Sequence, residues 1–392
     1  MDILELKKLM DLSKRKYLYR EIFKKFKLFS DLKNVYYKAY EIKEGLIPVI
    51  FIAKSLDTKT VKSVKVFTAA QHNEYNGLFG ILKFLKELNE GLTDIEDILI
   101  ENQILIFFPL LNPYGFLHPK RDNKSGYFLE NGTNLNRFWR KTFVPEYNDL
   151  QLALNNYEPP MQTRIIKTIL DNYWKNENIG IYIMDFHETS LMDRFINQLS
   201  LNLNQESYTF KFTHWLQEKI ILNIIELYDL MKYRHNLTPQ NLFFKCNPSA
   251  NHRHLNLTMK EINLIYEKLL DYIIENSKKL PFYFCYNSKS KEYCEKLAQI
   301  IYHKLEEILW ETRSTAFPHD FHDHGCFVNM NKAAKRQKLY AIELESSKQF
   351  FNIFREIERS KSDADYLEKK VIFINKSIVL ISETIREMIK LF

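Results

Sequence analysis

Glycine is scarce in this chain, 9 of 392 residues, and no stretch is of low complexity. That excludes a disordered polypeptide. Long apolar runs are also missing. None approaches the roughly 18–20 residues that span a bilayer, and the most apolar stretch, Ile104-Leu105-Ile106-Phe107-Phe108, suits a buried strand. The four cysteines, Cys246, Cys285, Cys294 and Cys326, lack the paired spacing of a metal site. They read as free thiols of a reducing compartment. The first residues, Met1-Asp2-Ile3-Leu4-Glu5, carry acids early and no uninterrupted apolar core. They do not read as a signal peptide, so the expected location is cytoplasmic, with no membrane partner. Neither sign of charge dominates. Lys plus Arg minus Asp plus Glu is 56 − 49 = +7, an excess that solvates a surface and slightly favours an anionic substrate. No RNA- or DNA-binding module pattern occurs, so no nucleic-acid partner is expected. There is no internal repeat.

What is present argues for a packed core. Hydrophobic residues make up 45% and aromatics 14% of a chain long enough for one large domain or a domain with additions. Residues 1 to about 32 have helical periodicity. Strand-like runs follow at Val35–Ile42, Ile47–Ala53 and Val64–Ala70, then a helix over Leu78–Leu88 and a strand over Ile104–Leu111. Leu150–Trp174 is helical apart from a break at Pro159-Pro160, and Ile181–Asp185 is a buried strand. Phe210–His235, Leu257–Lys279 and Ser290–Leu309 read as helices, Leu339–Glu345 as a strand, and the tail from Phe350 as mostly helical. The expected fold class is α/β: a mixed central sheet with helices on both faces and a helical insertion. The expected divisions are 1–45, a helical segment and first strand; 46–190 with 280–392, the main domain; and 191–279, the insertion.

Four separated stretches carry the chemistry: Gln71-His72-Asn73-Glu74, Asn136-Arg137, Asp185-Phe186-His187 and Glu343-Leu344-Glu345. Together they supply metal ligands, an anion clamp and a spare carboxylate, the parts needed to hydrolyse an amide with one divalent metal. The apolar strand Ile179–Met184 ends in Asp185-Phe186-His187, and ligands of open α/β sheets gather at the carboxyl ends of strands. His187 can bind a metal through one ring nitrogen while Asp185 orients the other. Glu343 and Glu345 share a face of their strand because side chains alternate. Two acids on one face of an apolar strand require a cation or water.

In order along the chain come Gln71-His72-Asn73-Glu74, Asn112-Pro113-Tyr114-Gly115, Arg121-Asp122-Asn123, Asn134-Leu135-Asn136-Arg137 and the Glu343/Glu345 strand. This set resembles the zinc carboxypeptidases of the carboxypeptidase A type, a superfamily that also contains aspartoacylase-like and desuccinylase-like amidohydrolases. The resemblance covers roughly residues 45–190 and 310–350. It implies Zn2+ held by a His-x-x-Glu pair and a distant His. Here Gln71 and Glu74 keep that spacing, as in a branch of bacterial cell-wall DL-carboxypeptidases that uses Gln-x-x-Glu, whereas His72 is the better ligand chemically. Either Gln71 or His72 therefore joins Glu74 and His187. The resemblance further implies that Asn136 and Arg137 grip a terminal carboxylate, for which an Arg fork is suited. It implies that Arg121 polarises the scissile carbonyl and that Glu345 is the general base, with Glu343 where the family often has Thr. Asn134 departs from the family's Asp, and the capping Tyr of the region after residue 302 is missing until Tyr340.

The expectation is a metallocarboxypeptidase acting on a peptide. The alternatives are a deacylase of small N-acyl amino acids and a metal-free binding protein of the same fold. The stretch Pro318-His319-Asp320-Phe321-His322-Asp323-His324 reads as a solvated loop near the cleft, with a second metal site or a lid as its other readings; His252 and His254 read as local structure.

Overall fold

The computed structural model describes residues 1–92, 102–118, 126–144, 158–189, 280–286, 288–305, 308–314, 336–347 and 364–391. The chain divides into two compact units. One comprises Met1–Glu188, Tyr283–Leu305 and Thr312–Phe392; the other comprises Thr189–Phe282 and Glu306–Glu311. The expected helices of 191–279, the histidine-rich stretch 318–325, Arg121, His252 and His254 lie outside the described residues.

The larger unit opens with helices α1 (Ile3–Met10) and α2 (Arg15–Leu28). Asp2 and Glu5 close a reciprocal capping box at the start of α1. Strands β1 (Val35–Ile42) and β2 (Gly45–Ile52) form a hairpin in full register, from Val35 opposite Ile52 to Ile42 opposite Gly45. Gly45 sits at φ +140°, a conformation open to few other residues. Next come β3 (Ser63–Thr68), α3 (Asn76–Asn89), β4 (Gln103–Phe108), α4 (Pro113–Leu117), α5 (Trp139–Phe143), α6 (Met161–Trp174) and β5 (Gly180–Thr189). The remainder is β6 (Leu280–Tyr286), α7 (Lys291–Lys304), β7 (Ile308–Ser314), β8 (Leu339–Ser347) and α8 (Ala364–Leu391). No helix among the described residues is long and apolar enough to cross a membrane.

The strand order is β1-β2-β4-β3-β5-β8-β6-β7. β3 runs parallel to both β4 and β5, while β2–β4 and β6–β8 are antiparallel, so the sheet is mixed. Two strands differ from the sequence expectation. β6 was not expected at all, although its aromatic run Phe282-Tyr283-Phe284 fits a strand. The helix expected to reach Leu309 stops at Lys304, where Leu305 turns extended (φ −125°, ψ 80°), and the β-favouring run Ile308-Leu309-Trp310 enters β7.

Helices cover both faces. On one, Val64, Val66, Ile104, Ile106, Ile181, Ile183, Leu339 and Ala341 pack against Trp139, Ile165, Ile166, Ile169 and Leu170 of α5 and α6. On the other, Phe67 stacks on Phe107 at 4.8 Å, Phe107 meets Phe84 of α3 at 5.7 Å, and α3 lies along α8. Alternation along the strands then places chemistry. The first face, apolar at Ile181, Ile183, Leu339 and Ala341, becomes Asp185, His187, Glu343 and Glu345 at the strand ends.

Candidate metal centre

Each site segment has its own brace. The loop after β3 leaves the sheet through Ala70, which holds a left-handed φ of +52° one residue before Gln71. A residue with a Cβ adopts that conformation at a cost. The neighbouring backbone holds it there: Leu111 N donates to Ala69 O at 3.2 Å and Asn112 N to Ala70 O at 3.0 Å. Asn112 is the second brace. Its amide donates to the carbonyls of Gln71 (3.2 Å), Gly126 (3.3 Å) and Phe128 (3.3 Å), and its Oδ1 accepts from Gly115 N at 2.8 Å. Gly115 must be glycine, since a Cβ there would lie 2.4 Å from Gly126 O. The Asn-Pro-Tyr-Gly motif thus ties the 71–74 loop to the 126–128 segment. Gly77 closes the other end. A Cβ at Gly77 would lie 2.6 Å from Phe186 Cβ and 2.8 Å from Ala69 Cβ, so only glycine lets α3 start this close to β3 and β5.

Around this frame the acids and His187 converge. His187 Nδ1 is 2.9 Å from Glu74 Oε2, and its Nε2 is 2.9 Å from Asp185 Oδ2. Thr68 Oγ1 donates to Asp185 Oδ1 at 2.6 Å. Gln71 Nε2 donates to Asp185 Oδ2 and lies 3.4 Å from His187 Nε2, while Gln71 Oε1 accepts from the Trp139 indole at 3.0 Å. Asp185, His187 and Glu343 each offer a ligand atom, and these atoms lie within 4.8 Å of one another. Gln71, Glu74, Asp185, His187, Glu343 and Glu345 are all buried. Burial opposes a charge on His187, but the charges of Asp185 and Glu343 and hydrogen bonds to Asp185 and Glu74 outweigh it. Its pKa therefore stands well above the ordinary histidine value.

His72 turns elsewhere. Its Nδ1 meets Tyr127 O at 2.8 Å. A carbonyl only accepts, so Nδ1 carries the proton. The ring stacks on Tyr127 at 3.8 Å and 7°, with the His187 ring 5.5 Å away. Neighbouring Glu188 is structural. Its Oε1 accepts from Asn76 N at 2.6 Å and so caps α3, whose N-cap side chain makes no such bond. In the 134–137 turn, Asn134 Oδ1 accepts from Asn136 N at 2.9 Å and Arg137 Nη1 donates to Asn136 O at 2.9 Å.

Two residues of this arrangement were not singled out from the sequence. Trp139 reaches Gln71 from the core. Tyr127 is central: burial pushes its phenol up, the negative charges of Glu74 and Glu345 push the same way, and Arg137 and His187 oppose them. All four groups therefore stand in electrostatic reach of one ring. The only sequence signal for Tyr127 was its place just after Arg121-Asp122-Asn123.

No protein-family model matches the chain, and no curated protein matches it. Solved structures that resemble it include metallo-carboxypeptidases. One from Burkholderia cenocepacia is 10% identical, with 92% of this chain and 67% of that one covered and a TM-score of 0.43. Another, from Pseudomonas aeruginosa in complex with (2-guanidinoethylmercapto)succinic acid, is 10% identical, with 93% and 68% covered and a TM-score of 0.42. Bovine thrombin-activatable fibrinolysis inhibitor, in complex with tick carboxypeptidase inhibitor, is 9% identical, with 96% and 97% covered and a TM-score of 0.47.

Proposed function

We propose that this protein is a zinc-dependent hydrolase of an amide bond next to a free carboxylate, a metallocarboxypeptidase acting on peptides. The observation that carries the reading is the buried group Glu74, Asp185 and Glu343 around a single imidazole at the carboxyl ends of two strands. Carboxylates that close together out of water demand a cation, and one imidazolium balances only one of them. A histidine with carboxylates is a donor set that fits a divalent metal.

In this reading His187, Glu74, Asp185 and Glu343 supply the ligands, joined by Gln71 or His72. The Gln71 amide nitrogen faces Asp185 and His187 while its oxygen accepts from the Trp139 indole, and His72 donates through Nδ1 to Tyr127 O, the kind of bond that orients an imidazole whose Nε2 ligates a metal. The bound metal would act as a Lewis acid toward the scissile carbonyl and the attacking water. Glu345 takes the proton of the attacking water and hands it to the departing amine. Asn136 and Arg137 hold the substrate's terminal carboxylate, and Trp139 steadies Gln71 through its N–H. Arg121 is assigned to the carbonyl oxygen on its sequence motif alone.

One observation favours the metal-free binder instead. His187 already pairs with two carboxylates at 2.9 Å, so its own charge is satisfied by protein groups. Elemental analysis of the purified protein, followed by assay on peptides with free and amidated C-termini, separates the readings. Stoichiometric zinc, and cleavage that chelation abolishes and amidation blocks, is the expected result. Cleavage indifferent to amidation points to the deacylase. Absence of metal, with no hydrolysis on adding zinc, overturns the enzymatic reading.

A further inference from the structure

Three basic side chains are sealed inside the described fold: Lys65, Arg336 and Arg15. Two have found oxygen. Lys65 Nζ donates to Ile389 O in the last turn of α8, and an amine can also shed its proton. Arg336 spreads its guanidinium over the carbonyls of Trp174, Asn176 and Ile179. Arg15, at the start of α2, has neither remedy. A guanidinium does not deprotonate in proteins. None of its three nitrogens makes a well-formed hydrogen bond to a described residue, and the polar side chain that acts on it, by charge and as a weak hydrogen-bond partner, is the Tyr75 phenol. Its surroundings are aromatic instead. Cζ lies 5.3 Å from the Tyr75 ring centroid and 5.1 Å from that of Phe116, and the Tyr75 phenol, not a carboxylate, acts on its charge.

Ring faces attract a cation, but with only the Tyr75 phenol acting on them most of the five N–H donors stay unserved. A dry, permanent charge with no counter-charge, as Arg15 is among the described residues, is among the costliest arrangements in a protein interior. We propose that Arg15 is the cation of a buried monoanion site, walled by Tyr75 and Phe116 and occupied by a halide, chloride being the ordinary occupant. The chemistry narrows the choice to such an ion. The site must supply one negative charge, accept several N–H donors without fixed lone-pair directions, and shed its water readily in an apolar interior. A phosphate or sulfate carries too much charge to lose its hydration there. The site stands apart from the metal reading, yet it backs directly onto Tyr75, the residue between Glu74 and the first turn of α3.

The test uses the full chain and halide salts. The melting temperature of the wild type is followed in sodium gluconate replaced stepwise by sodium chloride or bromide at fixed ionic strength. The expected result is a saturable rise of about 2 °C at ten times the Kd, and no halide dependence in Arg15→Met. Equal melting temperatures in all salts overturn the proposal, as does a variant that keeps the wild-type halide dependence. Should the variant not fold, anomalous diffraction from wild-type crystals grown in bromide decides. A bromide within hydrogen-bonding distance of the guanidinium is the expected outcome. A guanidinium bonded to protein oxygen, with no bromide beside it, overturns the proposal.

Discussion

The two faces of the central strands bury charge in opposite ways. On the α3/α8 face a single amine, Lys65, is sealed among Phe67, Leu105 and Phe107 and answered by one helix carbonyl. Burial depresses its pKa to about 7, so the protein can dispense with the charge altogether. On the α5/α6 face the strand ends gather Asp185, Glu343 and Glu345 beside Glu74, and the imidazole between them is held well above its ordinary pKa. One face neutralises a buried charge and the other accumulates charge. Packing alone explains the first arrangement; the second makes sense where a cation is to be received.

If that contrast is functional, the largest effects come from the charged face. His187→Ala removes the imidazole that Glu74 and Asp185 both bracket. The expected outcome is substoichiometric zinc by elemental analysis and hydrolysis at background, with the fold retained by circular dichroism. A variant that binds zinc normally would break the assignment of this face. Glu345→Gln is expected to keep the metal and lose about 10²–10⁴-fold in kcat. If Glu343→Gln lowers kcat that far with metal content intact while Glu345→Gln does not, the two roles are exchanged.

Much of this contrast was legible in the sequence, and the reasons differ by element. β1 and the cores of β3, β4 and β5 were readable because dense β-favouring residues between turns leave few alternatives. The convergence of Glu74 and His187 with the Glu343/Glu345 strand was implied by the family resemblance; strand ends being where ligands gather supported His187 with Asp185 beside it, and alternation put Glu343 and Glu345 on one face. The orientation of the 71–74 loop was not readable, because adjacent residues at the end of a left-handed kink can point apart. Gln71 faces Asp185 while His72 turns to Tyr127, and in the sequence spacing favours Gln71 while ligand chemistry favours His72. Tyr127 was illegible for a related reason. Its position depends on the Asn112 amide holding 126–128 against Gln71, a tertiary bracket with no periodic trace. Arg15 looked like part of a lysine-rich, solvated helix, and its burial depends on Phe116 and Tyr75 from distant segments.

Arg137→Ala sharpens the comparison on the substrate side. Loss of a charge-assisted hydrogen bond costs about 1.5–3 kcal/mol, which corresponds to roughly a 10- to 100-fold loss in kcat/KM for peptides with a free C-terminus. An equal loss on amidated peptides would show that Arg137 acts on the loop and not on a carboxylate.

The smallest effect on activity belongs to the packing face, which shows itself in stability alone. In the folded chain Lys65 titrates near 7, against 10.5 for a free amine. Between those values the unfolded chain carries a proton that the folded chain lacks, so stability rises with pH, by up to about 1.4 kcal/mol per unit. Below about pH 7 both states are protonated and the slope vanishes. Lys65→Met keeps the side-chain length, loses the titration, and is expected to be more stable than the wild type at pH 7, with the gap closing toward pH 10. Chemical denaturation of both proteins across that range measures the difference, in which other titrating groups cancel. Parallel stability curves would mean that Lys65 keeps its proton when buried, its charge held by the α8 carboxyl-terminal carbonyls. Both faces would then store charge, and the contrast between them would reduce to its sign.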